Sequence, residues 1–399
     1  MSEFVLVVNA GSSSLKYSLV DAVSGTSTAS GLIERIGEAS GQLTHEGPSG
    51  KNHAEREVAS HEEALQAAID AFSEHGPSLD DADIRAVGHR VVHGGARFSE
   101  PVLIDDELVA KVEELIPLAP LHNPANLEGI ATALKLFPDL PQVAVFDTAF
   151  HSTLPPEAYT YAVPISWLEQ HRIRRYGFHG TSYSFVSGEA AKLLDRPLSE
   201  LNLIVLHLGN GASAAAISGG RSVDTSMGLT PLEGLVMGTR SGDVDPALHA
   251  HLHRQLGWSL EDIDRMLNRE SGLRGLSGHN DFREVDQRRT AGDPRARLAF
   301  DVYCYRIRTY VGAYYAALGT VDAVVFTAGV GQNAASVRAQ SLSGLQRLGI
   351  EVDPTRNERR ITEPSVVSPD GSDVAVLVVP TNEEWEIARQ SMAVVRASQ

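Results

Sequence analysis

The chain has 399 residues and a mass of 42.9 kDa, which is enough for roughly two or three domains. Hydrophobic residues make up 42% and charged residues 21%, a balance that excludes a fully disordered chain. The formal net charge of −17 argues against general binding to nucleic acids or anionic membranes. A small anionic substrate would therefore need a local cluster of cationic side chains.

The sequence also favours a cytoplasmic protein. No apolar run approaches the roughly 20 residues that cross a bilayer, and the first residues lack the basic start of a signal peptide. Cys304 is the single cysteine and cannot form an internal disulfide. We therefore expect no membrane and no nucleic acid among its partners.

The apolar and polar patterns predict a repeated strand–turn–strand unit. Residues 5–8 form an apolar, β-branched run, residues 9–14 form a polar turn, and apolar residues then alternate up to Leu19. A similar unit covers residues 203–217, with a glycine turn in its middle. The two units suggest an internal duplication, although glycine hairpins are common enough for chance to be an alternative.

The rest of the chain alternates between helical and strand patterns, which predicts an α/β fold with helices packed on mainly buried sheets. The predicted elements, in chain order, are a polar surface loop over 45–60, a helix from its cap Ser60 to Gly76, a strand over 143–146 ending at Asp147, a helix capped by Thr181 or Ser182, a long helix over 297–318, strands over 324–327 and 374–379, and a last helix after a capping box at 381–384.

The first polar turn is a candidate phosphate site. Backbone N–H groups and the hydroxyls of Ser12 and Ser14 suit phosphate oxygens, Lys16 adds a charge, and Asn9 offers an oxygen to a metal or its waters. It is not a Walker A loop, and a solvated hairpin is the alternative.

Two later glycine turns are candidate nucleotide sites, because glycine lets a ligand approach the backbone closely. The first follows a strand and contains His207, Leu208, Gly209, Asn210 and Gly211. The second contains Gly329, Val330, Gly331, Gln332 and Asn333. With Ala334 and Glu351, the second turn also fits a dinucleotide fingerprint, so nicotinamide binding is a competing interpretation.

Arg90 and Arg240 lie beside glycines and could supply the cationic cluster, since a guanidinium matches carboxylate and phosphoryl oxygens. The alternative for each is an ion pair with an acidic neighbour. His179, between glycine-flanked turns, could donate a hydrogen bond to an anion or be satisfied by carbonyls.

The acidic candidates each have a structural alternative. Asp147 ends a strand, where site residues are common, but it could instead cap Thr148 or pair with an arginine. Glu383 in a first helical turn is equally explained by the helix dipole. His249 and His253 would share a helix face, although a solvated face explains them better than zinc does.

Taken together, these strings resemble the acetate kinase family. The resemblance rests on residues 9–16, 227–240, 88–95, 146–151, 175–181, 207–211, 281–283, 329–333 and 381–384, in the order of the family's motifs. It implies the actin-like ATPase superfamily fold: two duplicated, ribonuclease H-like α/β domains around a nucleotide cleft. The expected domains are 1–150 plus 382–399, and 151–381 for nucleotide binding. The resemblance also implies a homodimer.

The same resemblance implies reversible, direct in-line phosphoryl transfer from ATP to acetate, giving ADP and acetyl phosphate. It implies Mg²⁺, with Mn²⁺ as an alternative ion, held by Asn9 and Glu383. The catalytic residues would be Arg90, Asp147, His179 and Arg240, with Arg90 also binding the substrate carboxylate. The acyl pocket would comprise Val92, Leu121, Phe178 and Pro231. Nucleotide contacts would come from Ser12, Ser14, Lys16, the two glycine turns, Asp281, Phe282 and Arg283.

Gln332 departs from the family, which usually has glutamate there, and leaves one detail of nucleotide contact open. Because acetate is already ionised at neutral pH, Asp147 is expected to orient an arginine or a metal-bound water rather than to act as a base. Two rival functions remain: a propionate or butyrate kinase, and an actin-like ATPase that is not a kinase.

Overall fold

Two β-sheets, one in each of two units of the chain, organise the computed structural model, which describes residues 2–79 and 81–398. The first unit comprises Met1–Phe150 and Asn382–Gln399, and the second comprises His151–Thr381. Within the described ranges the strands are β1 Phe4–Gly11, β2 Ser14–Asp21, β3 Ser27–Glu34, β4 Gly41–Gly47, β5 Gly50–Arg56, β6 Ile84–Val91, β7 Val102–Leu103, β8 Gln142–Phe146, β9 Asn202–Leu208, β10 Ala212–Ser218, β11 Arg221–Thr225, β12 Ala323–Thr327, β13 Ser365–Val366 and β14 Ala375–Val378.

The helices connect and cover these strands. In the same described residues they are α1 His61–His75, α2 Asp106–Glu113, α3 Asn123–Leu136, α4 Pro156–Tyr159, α5 Ile165–His171, α6 Gly180–Leu193, α7 Ala247–Leu256, α8 Leu260–Arg269, α9 Gly272–Ser277, α10 Phe282–Thr290, α11 Pro294–Leu318, α12 Ala328–Asn333, α13 Ala335–Leu342, α14 Pro354–Asn357 and α15 Glu383–Ala397. Short 3₁₀ turns cover Ile116–Leu118, Ala149–Thr153, Leu198–Glu200 and Gln346–Leu348.

The sheet of the first unit has the strand order β5-β4-β3-β2-β1-β6-β8-β7. Strand β1 pairs antiparallel with β2 and parallel with β6, which pairs parallel with β8. Successive side chains of β1 point to opposite faces. Leu6 and Val8 pack in the core formed with α1 and α3, whereas Val5 and Val7 pack against α15.

The sheet of the second unit has the order β11-β10-β9-β12-β14-β13. Its first five strands repeat the order and directions of β3-β2-β1-β6-β8, with an antiparallel meander followed by two parallel strands. The hairpins β1–β2 and β9–β10 therefore occupy equivalent positions in the two units. This agreement identifies the repeated strand–turn–strand pattern as a duplication rather than chance.

Four local predictions were wrong. Residues 329–333 are not a glycine turn, because they form most of helix α12. Residues 45–60 are not a loop, because β4 and β5 form a hairpin there, with β5 as an exposed edge strand. Helix α6 begins at Gly180 with His179 at its N-cap, so Thr181 and Ser182 lie inside the helix. The last helix is capped by Asn382, whose side chain accepts from Trp385 N at 3.0 Å, and not by Thr381.

Among the described residues, no helix combines the length and the apolar composition that crossing a membrane requires.

Candidate active site

The turn between β1 and β2 is held by side chains from two helices of its own unit. Asn126 Nδ2 donates to the carbonyl of Ala10 at 2.7 Å, and His61 Nε2 donates to the carbonyl of Gly11 at 2.6 Å. Both supporting residues are buried, whereas Ser12 is exposed and Ser14 is partly exposed. The carbonyls are thus occupied, and the seryl hydroxyls that the sequence analysis assigned to phosphate remain on the surface of the unit.

Arg90 and Asp147 form an ion pair at the carboxyl ends of β6 and β8. These parallel strands are neighbours, so residues that close them meet at the same edge of the sheet. Arg90 Nη2 donates to Asp147 Oδ2 at 2.6 Å, and Nε contacts the two carboxylate oxygens at 3.0 and 3.1 Å. Arg90 Nη1 also donates to Asn9 Oδ1 at 3.4 Å. The sequence left two structural roles open for Asp147, capping of Thr148 or an ion pair with an arginine. The structure shows the ion pair.

The charges around Arg90 balance one another only in part. Burial disfavours its charge, but Asp147, followed by Glu383 and Glu384, raises the pKa of Arg90 above its ordinary value. Burial raises the pKa of Glu383, Arg90 opposes this effect, and the nearby carboxylates of Asp147 and Glu384 add to it. Lys16 pairs with Glu384. Carboxylates thus outnumber cations in this cluster.

In the second unit, His179 directly precedes α6 in the chain and contacts strand β10 through its side chain. It adopts a left-handed backbone conformation, with φ of 60°, which is uncommon for a residue other than glycine. Its Nδ1 contacts Ser213 Oγ at 2.8 Å, and its ring stacks on His207 with 4.1 Å between the ring centres. Its Nε2 lies beside Gly211, 3.6 Å from the position that a Cβ there would take.

Arg240 lies on the other side of the same glycine. Its Nη1 is 3.7 Å from the Cβ position of Gly211 and donates to the Pro231 carbonyl at 3.3 Å. Within residues 2–79 and 81–398 it forms no ion pair with a carboxylate. Burial lowers the pKa of Arg240, and no carboxylate offsets that effect. Arg240 and His179 Nε2 can therefore act together on an anion.

The loop that carries Pro231 is anchored by Arg175, a residue to which the sequence analysis gave no role. Arg175 Nη1 donates to the carbonyls of residues 225–227 at 2.8 to 3.3 Å, and Nη2 donates to Glu233 Oε1 at 2.7 Å. Tyr161 donates to the other oxygen of Glu233 at 2.5 Å. Only the adjacency of Arg175 to the motif around His179 could have singled it out from sequence.

A cavity of about 760 Å³ opens at the ends of β9 and β12. It is lined by eight residues that the sequence analysis assigned to the nucleotide: Gly209, Asn210, Asp281, Phe282, Arg283, Gly329, Val330 and Asn333. His207, Leu208, Gly211, Gly331 and Gln332 do not line it. Asn210 packs so closely on Gly238 that a Cβ there would lie 2.0 Å from its Oδ1. This volume and these turns suit a nucleotide.

The C-terminal end of helix α12, which directly follows β12, is held by Arg338, which is 1% exposed. Its Nη1 donates to the carbonyls of Gly331 and Gln332 at 2.9 and 2.8 Å. Gln332 in turn donates from Nε2 to the carbonyl of Ile361 at 2.8 Å, a contact that the family's usual glutamate could not make as a carboxylate.

The four residues expected in the acyl pocket are divided between the units. In the first unit Val92 is buried, with its N–H bonded to Asn126 Oδ1 at 3.0 Å, and Leu121 is 49% exposed. In the second unit Phe178 is buried and Pro231 accepts from Arg240.

Known proteins of one family match this chain along almost its entire length. The model of the acetokinase family matches residues 4–389. An acetate kinase of Clavibacter michiganensis subsp. michiganensis is 59% identical over 98% of each chain, and one of Leifsonia xyli subsp. xyli is 57% identical over 98% of this chain and 99% of its own. The crystal structure of Porphyromonas gingivalis acetate kinase is 44% identical with a TM-score of 0.94, covering 98% of this chain and all of its own.

A propionate kinase structure from Francisella tularensis subsp. tularensis is nearly as similar, at 43% identity and a TM-score of 0.93 over 99% of this chain and all of its own. The likeness to the acetate kinase structure confirms the expected fold of two duplicated actin-like α/β domains. The chain therefore belongs to the acetokinase family.

Proposed function

We propose that this chain transfers the γ-phosphoryl group of ATP to acetate, reversibly, giving acetyl phosphate and ADP. Its family supports a phosphotransferase with a carboxyl group as acceptor. The observation that carries the proposal is Arg240, a cation without a carboxylate partner among the described residues, which lies with His179 Nε2 beside Gly211. Such a pair suits the charge on a phosphoryl group in transfer.

The chemistry requires alignment of two anions rather than proton removal. A carboxylate with a pKa near 4–5 is already ionised at neutral pH. One of its oxygens forms a bond to the γ-phosphorus while the bond from that phosphorus to the bridging oxygen of ADP breaks. No proton is transferred, so the protein contributes positioning and charge stabilisation.

In this scheme Arg90 binds the acetate carboxylate and Asp147 holds Arg90 in place. The three Arg90–Asp147 contacts fix one edge of the guanidinium, and Nη1, which has one contact with Asn9 Oδ1, would use its other N–H for the substrate. Asp147 is 1% exposed and has Arg90 as its charged partner, an arrangement that fits an orienting role better than that of a base.

The oxygen-rich surroundings of Glu383 fit Mg²⁺, or Mn²⁺ in its place. Asn9 and Glu383 would hold the ion, because amide and carboxylate oxygens are its preferred ligands and the carboxylates here outnumber the cations. No group of three or more acidic, histidine or cysteine side chains suited to a metal occurs among the described residues, so water and phosphate oxygens would complete the ligands. When bound, the ion would neutralise phosphate charge.

The second unit would be the nucleotide-binding domain. The cavity at the ends of β9 and β12 would hold the nucleoside, with Asp281, Phe282 and Arg283 along its wall. The first unit would contribute Lys16, Ser12 and Ser14 to phosphate binding. His207 would support the nucleotide site indirectly, through its stacking on His179.

Acyl selectivity is the finer part of the proposal. Val92, Leu121, Phe178 and Pro231 would contact the methyl group, and the likeness to a propionate kinase makes propionate the second candidate substrate. One methylene in an apolar pocket is worth only about 1–3 kcal/mol, so the preference must be measured. We also propose a cytoplasmic homodimer, which is supported by the resemblance alone and is testable by light scattering.

The deciding experiment compares kcat/KM for acetate, propionate and butyrate, with ³¹P NMR of the products. We expect acyl phosphate with all three acids and the highest value with acetate. A higher value with propionate would reassign the substrate. Phosphate release from ATP that is unaltered by any carboxylic acid would instead identify an ATPase that is not a kinase.

A further inference from the structure

Two buried hydroxyl groups lie on the Nδ1 side of the His179 ring, opposite to the Nε2 atom that lies beside Gly211. Ser213 Oγ is 2.8 Å from His179 Nδ1 and 2.6 Å from Tyr183 Oη. Ser213 and Tyr183 are both 0% exposed. The three side chains therefore form a short row from the interior to the histidine, with Ser213 in the middle.

The hydrogens of this row can be arranged in two directions. In one, Tyr183 donates to Ser213 and Ser213 donates to His179 Nδ1, so the ring carries its hydrogen on Nε2. In the other, His179 Nδ1 donates to Ser213, which donates to Tyr183. If His179 and Tyr183 both donated to Ser213, its own buried hydrogen would need a third partner, which no described contact of Ser213 provides.

A neighbouring histidine shows the first direction in this same unit. His151 Nε2 faces the carbonyl of Phe178 at 2.9 Å, which can only accept, so the hydrogen is on Nε2. Its Nδ1, 2.7 Å from Ser222 Oγ, must therefore accept from that hydroxyl when the ring is neutral. Burial lowers the pKa of His151 to about 4 and keeps it neutral.

The first direction is the one that suits an anion bound beside Gly211. His179 Nε2 and Arg240 both lie beside that glycine, so an anion there would meet two donors only if the imidazole carries its hydrogen on Nε2. Stacking on His207 and the hydrogen bond with Ser213 fix the plane of the ring. A neutral ring with hydrogen on Nε2 donates toward the phosphoryl group, whereas one with hydrogen on Nδ1 presents a lone pair to it.

We propose that Tyr183 and Ser213 are positioning residues that hold His179 in the Nε2–H tautomer, so that it donates to the transferring phosphoryl group. This inference rests on the proposed function for its catalytic meaning, but the direction of the hydrogen bonds can be tested without turnover. The same two hydroxyl groups also hold the His179 ring in place, with its Nδ1 at 2.8 Å from Ser213 Oγ.

The test is ¹⁵N NMR of the full chain labelled at histidine, with His179 assigned through a His179→Gln variant. The two-bond ¹H–¹⁵N pattern distinguishes the tautomers. We expect Nε2–H for His179 in the wild type and a mixture in Ser213→Ala. Steady-state kinetics should show a kcat lower by about 10- to 100-fold in Ser213→Ala, with KM values within about twofold, as for other groups that orient a functional histidine.

Two matched controls remove the same atoms elsewhere in the interior. Ser187 on α6 and Tyr303 on α11 are buried and their hydroxyls have no hydrogen-bond partner among the described residues. Ser187→Ala and Tyr303→Phe should leave both the His179 spectrum and kcat unchanged. Tyr183→Phe should retain the tautomer, because Ser213 can still donate, and should reduce kcat less than Ser213→Ala.

Other results would overturn the inference. An Nδ1–H or doubly protonated His179 in an active wild type would reject the proposed direction, and so would a Ser213→Ala protein with the kinetics of Ser187→Ala. If Ser213→Ala does not fold, the wild-type spectrum and Tyr183→Phe still decide. A wild type that forms no acyl phosphate would instead reject the proposed function, whichever tautomer it shows.

Discussion

Arg90 Nη2 lies 2.6 Å from Asp147 Oδ2, and this contact gives Arg90 a carboxylate partner that Arg240 lacks in the part of the chain that the structure describes. Arg90 and Arg240 are therefore in different electrostatic states. Arg90 is held rigidly and its charge is largely balanced, which suits orientation of a small carboxylate. Arg240 keeps its charge available, which suits stabilisation of a phosphoryl group.

Replacing Asp147 with asparagine should reduce kcat while leaving the pH dependence unchanged. The amide cannot balance the charge of Arg90 or accept at both oxygens, so we expect a loss of about 10- to 100-fold, as for other groups that orient a functional side chain. The measurement is kcat against pH for the wild type, Asp147→Asn and the exposed control Asp139→Asn. A shift of the acidic or basic limb in Asp147→Asn would show that Asp147 exchanges a proton.

Replacing Arg240 with alanine should remove about 3–5 kcal/mol of transition-state stabilisation, by analogy with lost oxyanion donors and arginine fingers. Most of the loss should appear in kcat, and added guanidinium should restore part of it. Arg254→Ala, on the exposed helix α7, is the control. An Arg240→Ala enzyme with a raised KM for ATP and an unchanged kcat would mean that Arg240 serves ground-state binding only.

The buried His89 should make stability depend on pH. Burial lowers its pKa to about 4, and the hydrogen bond that its Nε2 donates to Gln142 Oε1 offsets this only partly. Between about pH 6.5 and pH 4 the unfolded state binds more protons than the folded state does, so the free energy of unfolding falls as the pH falls. Above about pH 6.5 His89 is neutral in both states, and none of this free energy is lost.

A His89→Gln variant lacks this titration. Between about pH 7 and pH 5 it should lose about 2 kcal/mol less unfolding free energy than the wild type does. Urea unfolding at both pH values measures the difference, and His249→Gln on the exposed helix α7 is the control. Equal losses in His89→Gln and the wild type would show that His89 does not titrate abnormally.

Arg338 should control nucleotide affinity without touching the nucleotide cavity. Burial lowers its pKa to about 10, so it remains charged at neutral pH and holds the carbonyls of Gly331 and Gln332. Arg338→Met should raise the KM for ATP about tenfold and leave the KM for acetate unchanged, because helix α12 loses two charge-assisted hydrogen bonds at its carbonyls. Arg347→Met is the control, and equal effects on both KM values would contradict the assignment.

Strands with a strong apolar signal were predictable from the sequence. The hairpins β1–β2 and β9–β10 contain apolar runs joined by turn residues, and Ser60 does cap α1, its side chain accepting from Glu63 N at 3.2 Å. Strand β5 was missed because it is a polar edge strand with most side chains exposed, so it lacks the alternation that identifies half-buried strands.

Candidate residues of the site could be proposed from the sequence, but the contacts that hold them in place could not. Arg90 and Asp147 are 57 positions apart and meet only through the parallel pairing of β6 and β8. Ser213 resembles any small residue of a buried strand, and its contact with His179 depends on how α6 packs on the sheet of the second unit. Such partners follow from tertiary structure, which no local pattern encodes.

The proposed mechanism requires two arginines that bind and stabilise two anions, and an acetyl hydroxamate assay tests this requirement directly. Wild-type protein with acetate, ATP and Mg²⁺ should form hydroxamate, Arg90→Ala and Arg240→Ala should form at most about one hundredth as much, and the exposed Arg97→Ala should match the wild type. Hydroxamate formation by Arg90→Ala and Arg240→Ala at the wild-type rate, or none by the wild type, would contradict it.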